Sequence, residues 1–173
     1  MQKKQPQARI RWHPSPLGRY KTNFDGTVFE EIGEARIGVV IRNLAEEVMA
    51  SLSEKIPLPS SVEAVEALAA RRVARFVQVV GIIESILEGD SLSIISALKN
   101  GDRMNSAIGH LIKDTLSFVI SNRSSSFSHV RRQGNVVAHA LSKRARFCSQ
   151  YEVWMEFVPP NISNLLLVDL LAS

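Results

Sequence analysis

The chain has 173 residues, 45% hydrophobic and 22% charged, which suits one domain with a substantial core and a short remainder. Its net charge of +4 and sequence pI of about 9.5 lean basic, compatible with a polyanionic partner without requiring one. Cys148 stands alone and no stretch is long and apolar enough to read as a bilayer span, which excludes an internal disulfide, a cysteine-built zinc site and a membrane partner.

The opening run Met1-Gln2-Lys3-Lys4-Gln5-Pro6-Gln7 lacks the apolar stretch of a secretory signal, so the chain reads as intracellular, nuclear or cytoplasmic. Residues 1–18, broken by Pro6, Pro14 and Pro16, form a lead-in segment. Three strand-like runs follow, Arg19 to Val28, Arg36 to Asn43 and Glu47 to Ile56. Short polar or glycine-containing links join them, the pattern of an antiparallel meander. In the second run both alternating sets are largely apolar, which predicts a central strand covered on both faces. Pro57 and Pro59 end the meander, and Ser60 or Ser61 can cap a helix from Val62 to Val79 that Gly81 stops. Ile82 to Leu87 reads as a buried strand, and Ser91 to Lys99 as a short helix ending at Asn100-Gly101. Asn105 to Phe118 has helical spacing through Ile108, Leu111, Ile112 and Leu116. Beyond the turn-forming link Asn122 to Ser126, Phe127 to Arg132 predicts one more short strand, and Asn135 to Phe147 a final amphipathic helix.

The order is βββ-α-β-α-(α)-β-α, an α/β fold with a five-stranded mixed sheet and helices on both faces. Its early strands are antiparallel, and the later ones are made parallel by helical crossovers. The expected domain spans 19–148. The remainder, 149–173, carries Trp154, Phe157 and a run of leucines. It is too apolar for a free tail and is expected to dock on the domain or to meet a protein partner.

Three acidic residues stand out. Asp25 lies inside a predicted strand, where aspartate is disfavoured; with Gly26 it either opens a turn or is a metal ligand held on a sheet. Glu66 shares a helix face with Val62, Ala69, Ala70 and Val73. A carboxylate there is costly to bury without a partner, and the partner is a cation, or Arg71 or Arg72, unless the side chain snorkels. Asp90 falls where a strand ends and a helix begins, a position equally suited to a helix cap and to a ligand at a strand end. Glu88 shares its strand face and is a candidate assistant. In this topology the three ends can converge on one patch.

The motifs then suggest a family. Trp12 with Pro14, followed by Lys21-Thr22-Asn23-Phe24-Asp25-Gly26, resembles the opening of plant ribonuclease H-like domains, those found at the C-terminus of retroelement reverse transcriptases and in free-standing relatives. Gly38-Val39-Val40-Ile41-Arg42-Asn43 is similar to that family's second strand, and Glu66-Ala67-Leu68-Ala69-Ala70 to its first helix. Leu87-Glu88-Gly89-Asp90-Ser91 resembles its fourth strand end. His129 to Leu141, with Asn135 and His139, resembles its closing motif. The likeness runs from Trp12 into the tail around Trp154, Pro159 and Asp169.

This resemblance implies a ribonuclease H-like fold and endonucleolytic cleavage of the RNA strand of RNA–DNA hybrids. It also implies two Mg²⁺ or Mn²⁺ ions held by Asp25, Glu66 and Asp90. Hard cations take oxygen ligands, and two of them stabilise the attacking and leaving oxygens of an in-line displacement. His139 stands where the enzymes carry a fourth carboxylate; histidine suits Mn²⁺ better than Mg²⁺ and removes one negative charge. The family's loop histidine has no counterpart in Arg131 to Gly134, and His129 reads as structural. Candidate nucleic-acid contacts are Asn23, Arg42, Arg131, Arg132, Asn135 (equally a helix cap) and Lys143, with Arg144 and Arg146 beside them on the last helix. Hybrid recognition would go by shape and 2′-hydroxyl contact. Three readings stay open: an active hybrid ribonuclease, a weak or inactive nucleic-acid-binding module of retroelement origin, and a protein-interaction domain using the tail.

Overall fold

A computed structural model describes residues 19–121, 125–144 and 150–170; the lead-in segment, Arg146 and Cys148 lie outside the described residues. Strand β1 (Tyr20–Phe29) pairs antiparallel with β2 (Glu34–Arg42), and β2 with β3 (Val48–Pro57). The alternation in β2 does what its pattern predicts. Ile37, Val39 and Ile41 face one helical layer and Val40 the other, all essentially inaccessible to solvent. Asp25 does not open a turn: Asp25 pairs with Gly38 and Gly26 with Ile37, and the strand runs on to Phe29. A 3-10 turn, Glu30–Ile32, then reverses the chain and ends at Gly33.

Helix α1 (Val62–Val79) begins where Ser61 accepts a hydrogen bond from the Ala64 N–H at 3.1 Å, satisfying one of the orphan donors of a first turn. It leads to β4 (Ser85–Gly89), parallel to β1. Ile82, assigned to that strand from sequence, instead bonds back to Val77 at the helix end, and Ile83 faces solvent. Helices α2 (Leu92–Asn100) and α3 (Gly109–Ser121) follow, then β5 (Ser126–His129), parallel to β4, and α4 (Val136–Arg144). The expected early start of α3 at Asn105 is replaced by turns bonded Ser106 to Arg103 and Gly109 to Ser106.

The main departure is at the C-terminus. The sheet has six strands, not five, in the order β5-β4-β1-β2-β3-β6. Strand β6 (Tyr151–Met155) lies antiparallel to β3, with Glu54 opposite Tyr151 and Ala50 opposite Met155. Without it β3 would present a row of unpaired backbone groups. Helix α5 (Ser163–Leu170) then folds back.

Two cores result. Helices α1, α2 and α3 close a large one over Phe24, Ile37, Val39, Leu52 and Leu87. On the other face Val137 and Leu141 of α4 meet Val40 and Val48, with Val158, Ile162, Leu165 and Leu166 of the tail. The tail is also held by an ion pair, Arg42 Nη1 to Asp169 Oδ2 at 3.2 Å, both residues buried. Two glycines set how close the layers come. A Cβ on Gly26 would lie 2.7 Å from Val65 Cγ1, and one on Gly38 2.1 Å from the Ala138 carbonyl oxygen. Helices α1 and α4 therefore both reach the middle of the sheet beside Asp25. Among the described residues no helix is long and apolar enough to cross a membrane.

Candidate functional site

The topology leaves an opening at one end of the sheet. Pairing between β1 and β4 stops at Asn23 and Glu88, while β1 continues through Asp25. Into that opening come Glu66, from the second turn of α1, and Asp90, the residue after β4. One carboxylate oxygen from each of Asp25, Glu66 and Asp90 lies within 4.8 Å of the others. Sequence order allows these ends to converge, and the fold brings them together.

The environment of each carboxylate differs. Asp25 is fully buried, and its Oδ2 is held by His139 Nδ1 at 2.7 Å. The acceptor is a carboxylate, which assigns the proton to Nδ1. The Ser142 hydroxyl lies 3.1 Å from the same oxygen, and Thr27 Oγ1 is 2.6 Å from Ser142 Oγ. Its other oxygen, Oδ1, is buried with no hydrogen-bond partner, as is Glu66 Oε2. Burial, reinforced by the charges of Asp25 and Asp90, pushes the Glu66 carboxyl up to about 8. Burial and the neighbouring Asp25 also raise Asp90, against the pull of the Arg132 guanidinium, which reaches Asp90 Oδ2 at 3.1 Å.

Two buried carboxylate oxygens without a partner in the protein are expensive to leave unsatisfied. A hard divalent cation would satisfy both and lower the mutual repulsion of the acids. The donor set is all oxygen, and the residues fit such an ion.

The remaining candidates separate by burial. Arg131, Arg132 and Lys143 are exposed on the rim around Asp90 and α4. Three others are buried and engaged within the fold. Arg42 is 2% exposed and engaged by Asp169, so it holds the tail and does not face a phosphate. Asn23 is 1% exposed and donates to Glu88 Oε2 at 3.1 Å. Asn135 is equally buried and donates to the Phe24 carbonyl at 2.8 Å, fastening the start of α4 to β1. Glu88 does not join the acidic group either: Lys21 Nζ, 3.2 Å away, takes its charge. Arg144 stacks on Trp154 and reaches Asn161 and Glu152, a tail contact. His129 Nε2 lies 3.3 Å from the Asp90 carbonyl, tying the end of β5 to that of β4. Sequence reading missed Ser142 and Thr27. For Ser142 a signal existed, since it lies three residues after His139 and so on the same helix face.

No curated protein sequence matches the chain significantly. Among solved structures it is similar to RNase H1 from the halophilic archaeon Halobacterium salinarum, with TM-score 0.68 and 22% identity over 75% of this chain and 98% of that one. It is similar to the N-terminal RNase H domain from Mycobacterium tuberculosis at TM-score 0.66 and 17% identity, covering 73% and 92%. LC11-RNase H1, solved in complex with an RNA/DNA hybrid, gives TM-score 0.60 and 19% identity over 73% and 95%. These likenesses establish a ribonuclease H fold. The model of the reverse transcriptase-like family matches residues 23–145, a span that takes in Asp25, Glu66, Asp90 and His139, and the chain belongs to that family.

Proposed function

We propose that the chain is a metal-dependent ribonuclease H-like nuclease that hydrolyses the RNA strand of RNA–DNA hybrids. The single observation that carries this reading is the meeting of Asp25, Glu66 and Asp90, distant in sequence, with oxygens within 4.8 Å of one another on a ribonuclease H fold. Asp25 Oδ1 and Glu66 Oε2, the unpartnered carboxylate oxygens of the cluster, and the Asp90 carboxylate would hold two Mg²⁺ or Mn²⁺ ions. Bound there, the cations supply the charge that activates a water and stabilises the leaving oxygen of a phosphodiester. His139 and Ser142 fix Asp25 Oδ2, so that its Oδ1 is presented in one orientation. Arg132, which reaches Asp90, with the exposed Arg131 and Lys143, would position the phosphate backbone.

A second reading, hybrid binding with little cleavage, rests on His139. It stands beside Asp25 outside the group of three carboxylates, leaving the site one negative charge poorer than the four-carboxylate pattern. A labelled RNA–DNA hybrid incubated with Mn²⁺ and with Mg²⁺ separates the two. Cleavage that Asp25→Asn lowers by roughly a hundredfold or more supports the nuclease. Retained hybrid binding with no cleavage in either metal selects the second reading. No binding at low salt removes both, leaving a protein-interaction domain.

A further inference from the structure

A cavity of about 620 Å³ lies away from the acidic cluster, between the C-terminal half of α1 and the outer strands β3 and β6. Its volume is that of a small-ligand site. Arg71, Arg72 and Arg75 all line it, because residues three and four apart fall on one helix side. They stand roughly 8–14 Å along the helix from Glu66 at 1.5 Å per residue. Glu54 and Asp114 are the acids facing them, so three guanidinium groups meet two carboxylates.

The three arginines are not equivalent. Arg72 is fixed: it pairs with Glu54 and lies over the rings of Phe76 and Tyr151, at 5.8 and 5.3 Å from their centroids. Arg71 pairs with Asp114 at 3.3 Å, but both side chains are well exposed, and such a pair is worth little and is readily exchanged. Arg75 is exposed and has no ion-pair or hydrogen-bond partner among the described residues. Beside them Tyr151 offers a half-exposed ring on an edge strand, over a floor that includes Leu68 and Ile56. Cationic groups next to an accessible aromatic face are the two elements of a sequence-tolerant single-strand site. A duplex could not insert a base into a cavity of this size; an unpaired base can.

We propose that this cavity is a second nucleic-acid site that takes an unpaired stretch of polynucleotide. Its phosphates exchange Asp114 for contact with Arg71 and Arg75, and a base stacks against Tyr151 while Arg72 holds that ring. The site is independent of the acidic cluster and needs no metal. It depends on β6, and therefore on the segment beyond the family match.

The test is fluorescence anisotropy of a labelled single-stranded oligothymidylate with the intact chain, in EDTA and low salt. EDTA keeps the measurement separate from hybrid cleavage, so failure here leaves the nuclease reading standing and the reverse holds too. Wild-type protein and Asp25→Asn should bind equally. Arg75→Glu and the double variant Arg71→Ala/Arg75→Ala should each weaken binding about tenfold, the double variant lowering the log–log salt slope by about 1.4, at 0.7 per phosphate. Tyr151→Leu, which keeps an apolar wall, should lose roughly 5- to 150-fold, the range for one base stack. Arg75 has no partner to lose among the described residues, so Arg75→Glu should fold normally and cut hybrid at the wild-type rate. Absence of binding by the wild type, or unchanged affinity in the arginine variants, overturns the proposal. So does equal displacement by polyglutamate, which would show charge without a base, or by thymidine monophosphate at the same nucleotide concentration, which would show a mononucleotide site.

Discussion

Glu66→Gln in the metal-free protein reads the electrostatic cost of the acidic cluster directly. In the fold the Glu66 carboxyl is raised from 4.5 to about 8 by burial and by Asp25 and Asp90. At about 1.4 kcal/mol per pH unit, ionising it in the folded state costs on the order of 5 kcal/mol relative to the unfolded chain. The sign follows from proton counting. Between pH 4.5 and 8 the folded protein binds more protons here than the unfolded one, so stability falls as pH rises. The stability associated with the retained proton is complete below about pH 4.5 and lost through pH 8. Asp90, also raised, contributes in the same direction. Urea denaturation in EDTA at pH 5, 7 and 9 should show the wild type declining more steeply than Glu66→Gln. The two should agree to about 1 kcal/mol at pH 5 and differ by several kcal/mol at pH 9. Mn²⁺ at a hundredfold excess over its Kd should return about 2.7 kcal/mol to the wild type, and much less to the variant. Parallel pH profiles for the two proteins would refute the reasoning, since the cluster would then carry no repulsion for a cation to relieve.

Further predictions concern neighbouring residues. His139→Asp should raise the Mg²⁺-dependent cleavage rate relative to the Mn²⁺-dependent one, because it adds the hard oxygen donor that the imidazole replaces; initial rates in the two metals measure the ratio. Gly38→Ala should destabilise by roughly 3 kcal/mol or more, since its methyl would press on the Ala138 carbonyl oxygen and the Ser142 backbone nitrogen. Thermal or urea unfolding checks it, and hybrid cleavage should fall with the displacement of α4. Asp169→Ala should cost roughly 3–5 kcal/mol, because it takes the carboxylate away from a guanidinium that is 2% exposed; increased protease sensitivity of the tail would report the same loss.

Much of this architecture is legible in the residue order because its signals are local. The two-sided apolar pattern of β2 predicts a central strand, and the Ser61 cap with the Val62 to Val79 stripe predicts α1. Glu66 on that stripe already asks for a partner. Two features are not local. Strand β6 alternates Tyr151, Val153 and Met155 against Glu152 and Trp154, but the second set is mixed in polarity, and only pairing with β3 decides that the segment is a strand. Arg42 looks like a phosphate contact at a strand end, and nothing near it in sequence announces that Asp169, 127 residues away, will bury it. The bonds made by Asn23 and Asn135 are likewise not announced by their neighbours in sequence. Polar side chains with exposed-looking neighbours turn out to be fasteners between β1, β4 and α4.

The pairing of β6 along β3 bears on how a smaller version of this protein could be made. Cutting the chain after residue 145, where the family match ends, would strip the hydrogen-bonding flank of β3 from Ala50 to Glu54 and uncover Val40, Val48 and Leu141. A naked flank beside an apolar face is a template for intermolecular strand addition. A truncated protein would be expected to aggregate, and loss of activity in it would report insolubility rather than a missing catalytic group.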